Sequence, residues 1–190
     1  MGIFEFLNKD KKQDISLSIV KCAQLPQAEY LKTLIKTCGY KKYLELGVYF
    51  GTTYNYVKKY CEVAHAVDIE FKDFINKDSF FHMTTDEFFK QNKNMYDLIF
   101  IDACHEFGQV KKDFDNSLKV LNPGGVIVLH DTDPYCIEYT AKNRCSDCYK
   151  MNNYLSQIKE VNYLTLPMTE TGLSLVQRKC DLRHIKFCKD

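Results

Sequence analysis

The chain has 190 residues, 45% of them hydrophobic, enough for one domain to bury roughly 70% of its unfolded surface. Twenty-six Lys and Arg stand against 25 Asp and Glu, a net charge of +1. That balance argues against a general nucleic-acid binder relying on a strong basic field, and against an acidic solvating tail. No stretch approaches the ~20 apolar residues of a membrane span. The opening MGIFEFLNKDKKQ has neither the apolar core nor the small-residue cleavage site of a secretory leader. Gly2 could suggest myristoylation, but Phe6 stands where that signal wants Ser or Thr. A soluble, cytoplasmic protein is expected.

Residues 1–38 are expected to form a helical N-terminal lead-in, loose over the charged residues 1–14. Tyr30, Leu31, Leu34 and Ile35 recur at helical spacing between Ala28 and Thr37, and Gly39 is placed to stop that helix. Short apolar runs then alternate with amphipathic stretches. The runs are Tyr43–Leu46, Val63–Ile69, Phe80–Met83, Leu98–Ile101 and Val126–Leu129. The stretches include Thr52–Tyr60, Thr85–Asn92 and Gln109–Leu121. Such β-α-β-α alternation predicts an α/β fold with a mainly parallel sheet. The run Leu98–Ile101 is continuously apolar, as in a strand covered on both faces. Residues 133–153 break the pattern and are expected to form a loop or short helix, an insertion that would act as a lid. Tyr163–Leu166 and Leu173–Val176 predict a terminal antiparallel hairpin. With no repeat or linker in sight, residues 1–190 are taken as one domain.

The first strand leads into Glu45-Leu46-Gly47-Val48-Tyr49-Phe50-Gly51-Thr52-Thr53. Glycines after a strand let the backbone turn tightly and approach a ligand closely. Thr52 or Thr53 could cap the next helix, whose N-terminus favours polar or anionic groups. Tyr49 occupies the place of the middle glycine in a dinucleotide fingerprint and would crowd a pyrophosphate, which disfavours a nicotinamide-dependent oxidoreductase. Asp68 ends the second strand, seventeen residues after Gly51. A carboxylate there can accept from both hydroxyls of a ribose.

Two further strand ends carry chemistry. Asp102, Cys104 and His105 follow one apolar run, and His130, Asp131 and Thr132 follow another. The carboxyl ends of strands line the ligand crevice of an open α/β sheet, so these groups should converge. Asp102, Asp131 and Thr132 offer oxygens suited to a hard divalent ion such as Mg²⁺. His105 or His130 could serve as a base, with an ordinary pKa of ~6.5. The plainer readings are a cap for Asp131 and Thr132, a packed histidine for His130, and a helix-entry residue contacting backbone for His105.

Nine cysteines without a secretory leader suggest thiols or metal ligands more than disulfides. Cys145 and Cys148 form a C-x-x-C with Cys136 nearby, and Cys180, His184 and Cys188 recur at helical spacing. Together they could hold structural zinc, although the spacing matches no recognised finger and free cysteine also packs as a small apolar residue.

In order and spacing these segments resemble the class I S-adenosylmethionine-dependent methyltransferases, over about Tyr43 to Arg178. Glu45–Thr53 looks like the first motif and Asp68 like the acidic residue after strand two. Tyr96–Asp102 looks like the strand-four motif, and Leu121–Val128 like the turn before strand five. More narrowly, I-D-A-C-H-E-F followed by G-G-V-I-V-L-H-D-T resembles methyltransferase family 24, akin to macrocin-type and aminocoumarin sugar O-methyltransferases. Ala103 and Phe107 depart mildly from that pattern. The resemblance implies a Rossmann-like doubly wound sheet, mostly parallel, with a reversed seventh strand. It implies that Glu45, Gly47 and Gly51 surround the methionine end and ribose of the cofactor, and that Asp68 holds the ribose hydroxyls. Thr85 and Asp86 would lie near the adenine edge, and Asp102 beside the sulfonium and acceptor. Carboxylates matching Asp102 and Asp131 bind Mg²⁺ in metal-dependent relatives, but Thr132 is a weaker ligand than the Asp or Asn often found next. The implied reaction is methyl transfer to a small-molecule hydroxyl, with no nucleic acid or membrane partner and room for a homodimer. A binding domain that has lost turnover is the alternative, against which Gly47, Gly51, Asp68 and Asp102 speak.

Overall fold

The computed structural model describes residues 27–71, 75–167 and 171–179. The first helix, α1, spans Gln27–Cys38 and buries Leu31 and Ile35, the stripe that the sequence spacing predicts. Gly39 follows it at φ 69°, a left-handed turn that glycine adopts without strain. Strand β1 (Lys42–Leu46) lies between β2 (Val63–Asp68) and β4 (Tyr96–Ile101), parallel to both. With β3 (Phe80–His82), β5 (Leu121–His130), β6 (Val161–Leu166) and β7 (Leu173–Arg178), they form one seven-stranded sheet in the order β3-β2-β1-β4-β5-β7-β6. Strand β7 runs antiparallel to both β5 and β6, which is the expected terminal hairpin. The strand order reverses between β1 and β4, where a crevice opens at the carboxyl ends.

Both faces of the sheet are covered, and residues alternate between two apolar layers. Leu44, Leu46, Ile99, Ile101, Ile127 and Leu129 point into one layer. It is filled by Phe88 of α3 (Thr85–Gln91), Val110 and Phe114 of α4 (Phe107–Lys119) and Leu155 of α5 (Met151–Gln157). Tyr43, Leu98, Phe100, Val126 and Val128 point the other way, onto Leu31 and Ile35 of α1 and Tyr54 and Val57 of α2 (Thr52–Val57). Double coverage explains why the strands are apolar throughout rather than alternating.

Two local expectations are corrected. The Pro123-Gly124-Gly125 segment is not a turn ahead of strand five. It lies inside β5, with an irregular register against β4 between Tyr96 and Leu98. Gly124 sits at φ 77°, and its carbonyl accepts from the Tyr40 hydroxyl at 2.8 Å and Gln177 Nε2 at 3.1 Å. Nor does Thr52 or Thr53 cap α2. The cap residue is Gly51 at φ 72°, with no side-chain hydrogen bond to the helix end. Residues 133–150 contain short 3-10 turns at Ile137–Thr140 and Cys148–Lys150, and α5 begins at Met151. Residues 1–26 of the expected lead-in lie outside the described residues. Among the described residues no helix is long and apolar enough to cross a membrane.

Candidate active site

At the end of β1 the chain passes through Gly47 at φ 82°, whose N–H donates to the Val67 carbonyl at 2.9 Å. A Cβ there would lie 2.3 Å from the Asp102 carbonyl oxygen and 2.4 Å from Ala103 Cα. Only glycine lets β1 and β4 end this close together. The turn then closes from the Gly51 N–H to the Val48 carbonyl at 2.7 Å. Asp68 holds the loop from β2. One carboxylate oxygen accepts from Val48 N (2.8 Å) and Tyr49 N (3.1 Å), and the other from Glu70 N (2.8 Å). This clamp is invisible in the sequence, because it joins residues twenty positions apart.

Two cavities flank Ala103. The first, about 310 Å³, is lined by Gly47, Asp68, Ile69, Met83, Thr84, Thr85, Asp86, Ala103, Cys104 and Gln109, with Val67 behind them. The α3 end of this wall is fixed by a capping box. The Thr84 hydroxyl accepts from Glu87 N at 3.2 Å, and Thr84 N donates to Glu87 Oε2 at 3.0 Å. The second cavity, about 710 Å³, is lined by Tyr49, Asp102, Ala103, His105, His130, Asp131 and Thr171. Tyr139, Asn143, Arg144 and Cys145 of the segment before α5 complete it.

Asp102, His105, His130 and Asp131 meet in the second cavity. His130 Nδ1 lies 2.9 Å from Asp131 Oδ1 and 3.2 Å from Asp102 Oδ1. The buried nitrogen thus lies within ion-pair distance of both carboxylates. His105 Nδ1 lies 3.1 Å from Asp131 Oδ2 and 2.5 Å from the Arg144 carbonyl, with Nε2 3.6 Å from Asp102 Oδ1. His105 thus contacts backbone and carboxylates at once. Asp131 sits at φ 62°, a left-handed conformation that costs a non-glycine residue about 1–2 kcal/mol.

The groups shift one another. Burial pushes Asp102 up, but the His130 charge and contacts with both imidazoles outweigh it and hold the carboxyl at about 2. Asp131 is likewise lowered: burial opposes, and the contact with and charge of His130 prevail. Burial would lower His130, yet the flanking carboxylates raise it to about 10. His105 is raised to about 9, chiefly by Asp102, against burial and with the help of the Arg144 carbonyl and Asp131. Both imidazoles are thus raised above the ordinary histidine range by the carboxylates around them. The ordinary histidine pKa expected from the sequence does not hold at either position.

Residues 44–132 match a family model described as a methyltransferase domain, that of methyltransferase family 24. That segment is a methyltransferase domain. No curated protein matches the chain by sequence. Among solved structures, a putative caffeoyl-CoA O-methyltransferase from Staphylococcus aureus superposes with TM-score 0.65 at 16% identity, covering 92% of this chain and 95% of that one. The SAH-bound methyltransferase PaMTH1 from Podospora anserina gives 0.64 at 16% identity, covering 91% and 97%. The O-methyltransferase from Bacillus cereus in complex with SAH gives 0.62 at 15%, covering 88% and 90%. These likenesses establish the fold.

Within the methyltransferase domain, the structure sorts the expected site residues. Gly47, Asp68, Thr85 and Asp86 line the first cavity, and Asp102, His105, His130 and Asp131 the second. Glu45 lines neither. It is buried in the apolar layer under α2 with its carboxylate on the Tyr43 hydroxyl at 2.5 Å, and burial pushes its pKa well up. Gly51 lines neither cavity and serves as the α2 cap. Thr132 is fully buried and its hydroxyl accepts from Ser174 Oγ at 2.8 Å, so it does not join the acidic cluster. Its place is taken by His105: donor atoms of Asp102, His105 and Asp131 lie within 4.8 Å of one another. Two carboxylates and an imidazole fit a divalent cation with mixed oxygen and nitrogen preference.

Cys136, Cys145 and Cys148 are free thiols that join no metal-capable group among the described residues. Cys148 is raised by burial and its thiol contacts the His130 carbonyl at 3.2 Å. Cys180, His184 and Cys188 lie outside the described residues. A nicotinamide-dependent oxidoreductase could use a Tyr-x-x-x-Lys pair, and the chain has one such spacing, Tyr54 to Lys58. It cannot act as an oxidoreductase pair, because Tyr54 is buried with its hydroxyl on the Ala64 carbonyl at 2.8 Å. Sequence reasoning missed Gln109, Tyr139, Asn143 and Arg144. Only the position of Gln109, just inside the helix after strand four, gave a signal.

Proposed function

We propose that the protein transfers a methyl group from S-adenosylmethionine to a hydroxyl of a small-molecule acceptor. The observation that carries this reading is the pair of cavities meeting at Ala103. One has a strand-end carboxylate, Asp68, between apolar and hydrogen-bonding walls. The other gathers Asp102, His105, His130 and Asp131. The first suits a nucleoside, with Asp68 accepting from the ribose hydroxyls while it holds the glycine loop. Thr85 and Asp86 edge the base. The second suits an acceptor brought against the sulfonium.

Methyl transfer is a displacement in which the sulfonium leaves as a neutral thioether, so the leaving group needs little help. Alignment of acceptor and methyl supplies most of the effect, on the order of 7–11 kcal/mol in well-oriented systems. Tyr49 and Arg144 line the acceptor cavity. The acceptor hydroxyl passes its proton to the Asp102 carboxylate at the cavity wall as the methyl is transferred. Protonated His105 and His130 act as electrostatic anchors for the developing alkoxide, and Asp102 and Asp131 orient them. In the alternative in which His105 gives up its proton, Asp102, Asp131 and His105 would hold a divalent cation, which would lower the hydroxyl pKa directly.

The test is incubation with methyl-labelled S-adenosylmethionine and a panel of phenolic and sugar hydroxyl acceptors, with and without Mg²⁺ or Mn²⁺. Label in an acceptor ether, with one S-adenosylhomocysteine formed per methyl, supports the reading. Cofactor that binds but stays intact with every acceptor class contradicts turnover and favours a binding domain.

A further inference from the structure

The wall of the nucleoside-sized cavity contains a side chain whose hydrogen bonds leave it one role. Gln109 stands on the first turn of α4, half-buried, and lines the cavity beside Thr85 and Asp86. Its amide nitrogen donates to Asp113 Oδ1 at 3.0 Å, Thr85 Oγ1 at 3.2 Å and Asp86 Oδ1 at 3.2 Å. Two hydrogens thus face three acceptors. Turning the amide over would set its oxygen against two carboxylates, so the orientation is fixed. The amide oxygen is left as a bare acceptor, without a hydrogen bond among the described residues.

The anchor behind it is a second observation. Asp113 is fully buried, and while one of its oxygens holds Gln109, the other has no partner. Ser117 Oγ, one helical turn on, is also buried and unpaired. A half-satisfied carboxylate in an apolar layer is costly. A glutamine that merely covered the helix face would need no such support. The arrangement suits a side chain that must present one atom in one place. The remaining walls near it, Ile69, Met83, Ala103 and Cys104, offer apolar contact to the faces of a flat ring.

We propose that Gln109 is the residue that reads the nucleobase, its amide oxygen accepting from the exocyclic amino group at purine C6. This rests on the reading that the cavity holds the cofactor's nucleoside, and adds the group that selects adenine. A 6-oxo purine sets an acceptor against an acceptor at the same place and is rejected. Asp113 is the positioning residue, acting through Gln109.

The experiment is calorimetric titration of the full chain with S-adenosylhomocysteine and with S-inosylhomocysteine, which differ by amino or oxo at C6 and by the proton that the oxo form carries on N1. Both are measured on wild type and on Gln109→Met. Wild type should prefer the amino ligand by about tenfold or more, the loss expected when one buried polar group is left facing the wrong partner. Gln109→Met should lose affinity for S-adenosylhomocysteine and bring the ratio of the two ligands close to one. Because that ratio is taken within one protein, a small loss of stability does not move it. A ratio unchanged in Gln109→Met overturns the proposal and passes the reading to Asp86. Equal binding of both ligands by wild type also overturns it. Failure of wild type to bind either ligand overturns the nucleoside reading, and this proposal with it.

Discussion

Gly47 shows how one position can be fixed by its neighbours' backbone. Its φ of 82° and the 2.3 Å gap between a would-be Cβ and the Asp102 carbonyl leave no room for a side chain. Gly47→Ala should destabilise the fold by more than about 2 kcal/mol, seen as a lowered midpoint in urea unfolding. A midpoint equal to wild type would contradict the close approach of β1 and β4. Asp113 carries a pH signature. Burial raises its pKa from 3.8 to about 6, against contacts with Thr85 and Gln109. A raised carboxyl favours the folded state while protonated, so its contribution is full below about 3.8 and is lost as pH rises through about 6. Asp113→Asn removes that loss. Its stability relative to wild type should rise by on the order of 2 kcal/mol between pH 4 and pH 7.5 in paired urea titrations. A difference that stays constant with pH would refute the buried, ionising carboxylate. Both features escape a sequence reader, since neither residue type nor spacing announces which face of a helix or strand is crowded.

At the level of elements, the strands and helices themselves were legible. Hydrophobic runs of four to seven residues mark the buried strands, and the pattern of Leu31 and Ile35 marks α1. The errors fell where backbone geometry departs from propensity: Pro123–Gly125 absorbed into β5 as an irregularity, and Gly51 capping α2 in place of a threonine. Thr84 does form a cap, on α3, and its position decides where Thr85 and Asp86 stand. Thr84→Ala should cost about 1 kcal/mol of stability and weaken S-adenosylhomocysteine binding by loosening that edge. Unaltered binding with the same loss of stability would separate the cap from the cavity. A further polar cluster ties the sheet's reversed end together. Ser174 Oγ bonds Thr132 Oγ1 at 2.8 Å and Thr165 Oγ1 at 2.7 Å, and Asn152 Oδ1 lies 3.1 Å away. That cluster explains why Thr132 turns away from the acidic site. Adjacent residues Asp131 and Thr132 take different surroundings because Asp131 bends the chain with its left-handed φ.

For the molecule as a whole, the strand order decides the site. The sequence predicts that residues after several strands gather at one edge, and Asp68, Asp102, His105, His130 and Asp131 do so. It does not predict the lining drawn from residues 139–145, which reach the cavity through long-range contacts in a stretch without periodicity. The raised pKa of the two histidines was equally hidden, since it follows from carboxylates brought close only by the fold. The central claim is that the carboxyl edge of this sheet binds the nucleoside of S-adenosylmethionine through Asp68. The direct measurement is calorimetric titration of wild type and Asp68→Ala with S-adenosylhomocysteine. Micromolar binding by wild type, weakened at least about tenfold in Asp68→Ala, is the predicted result. No binding by wild type, or equal binding by the two proteins, would contradict the account.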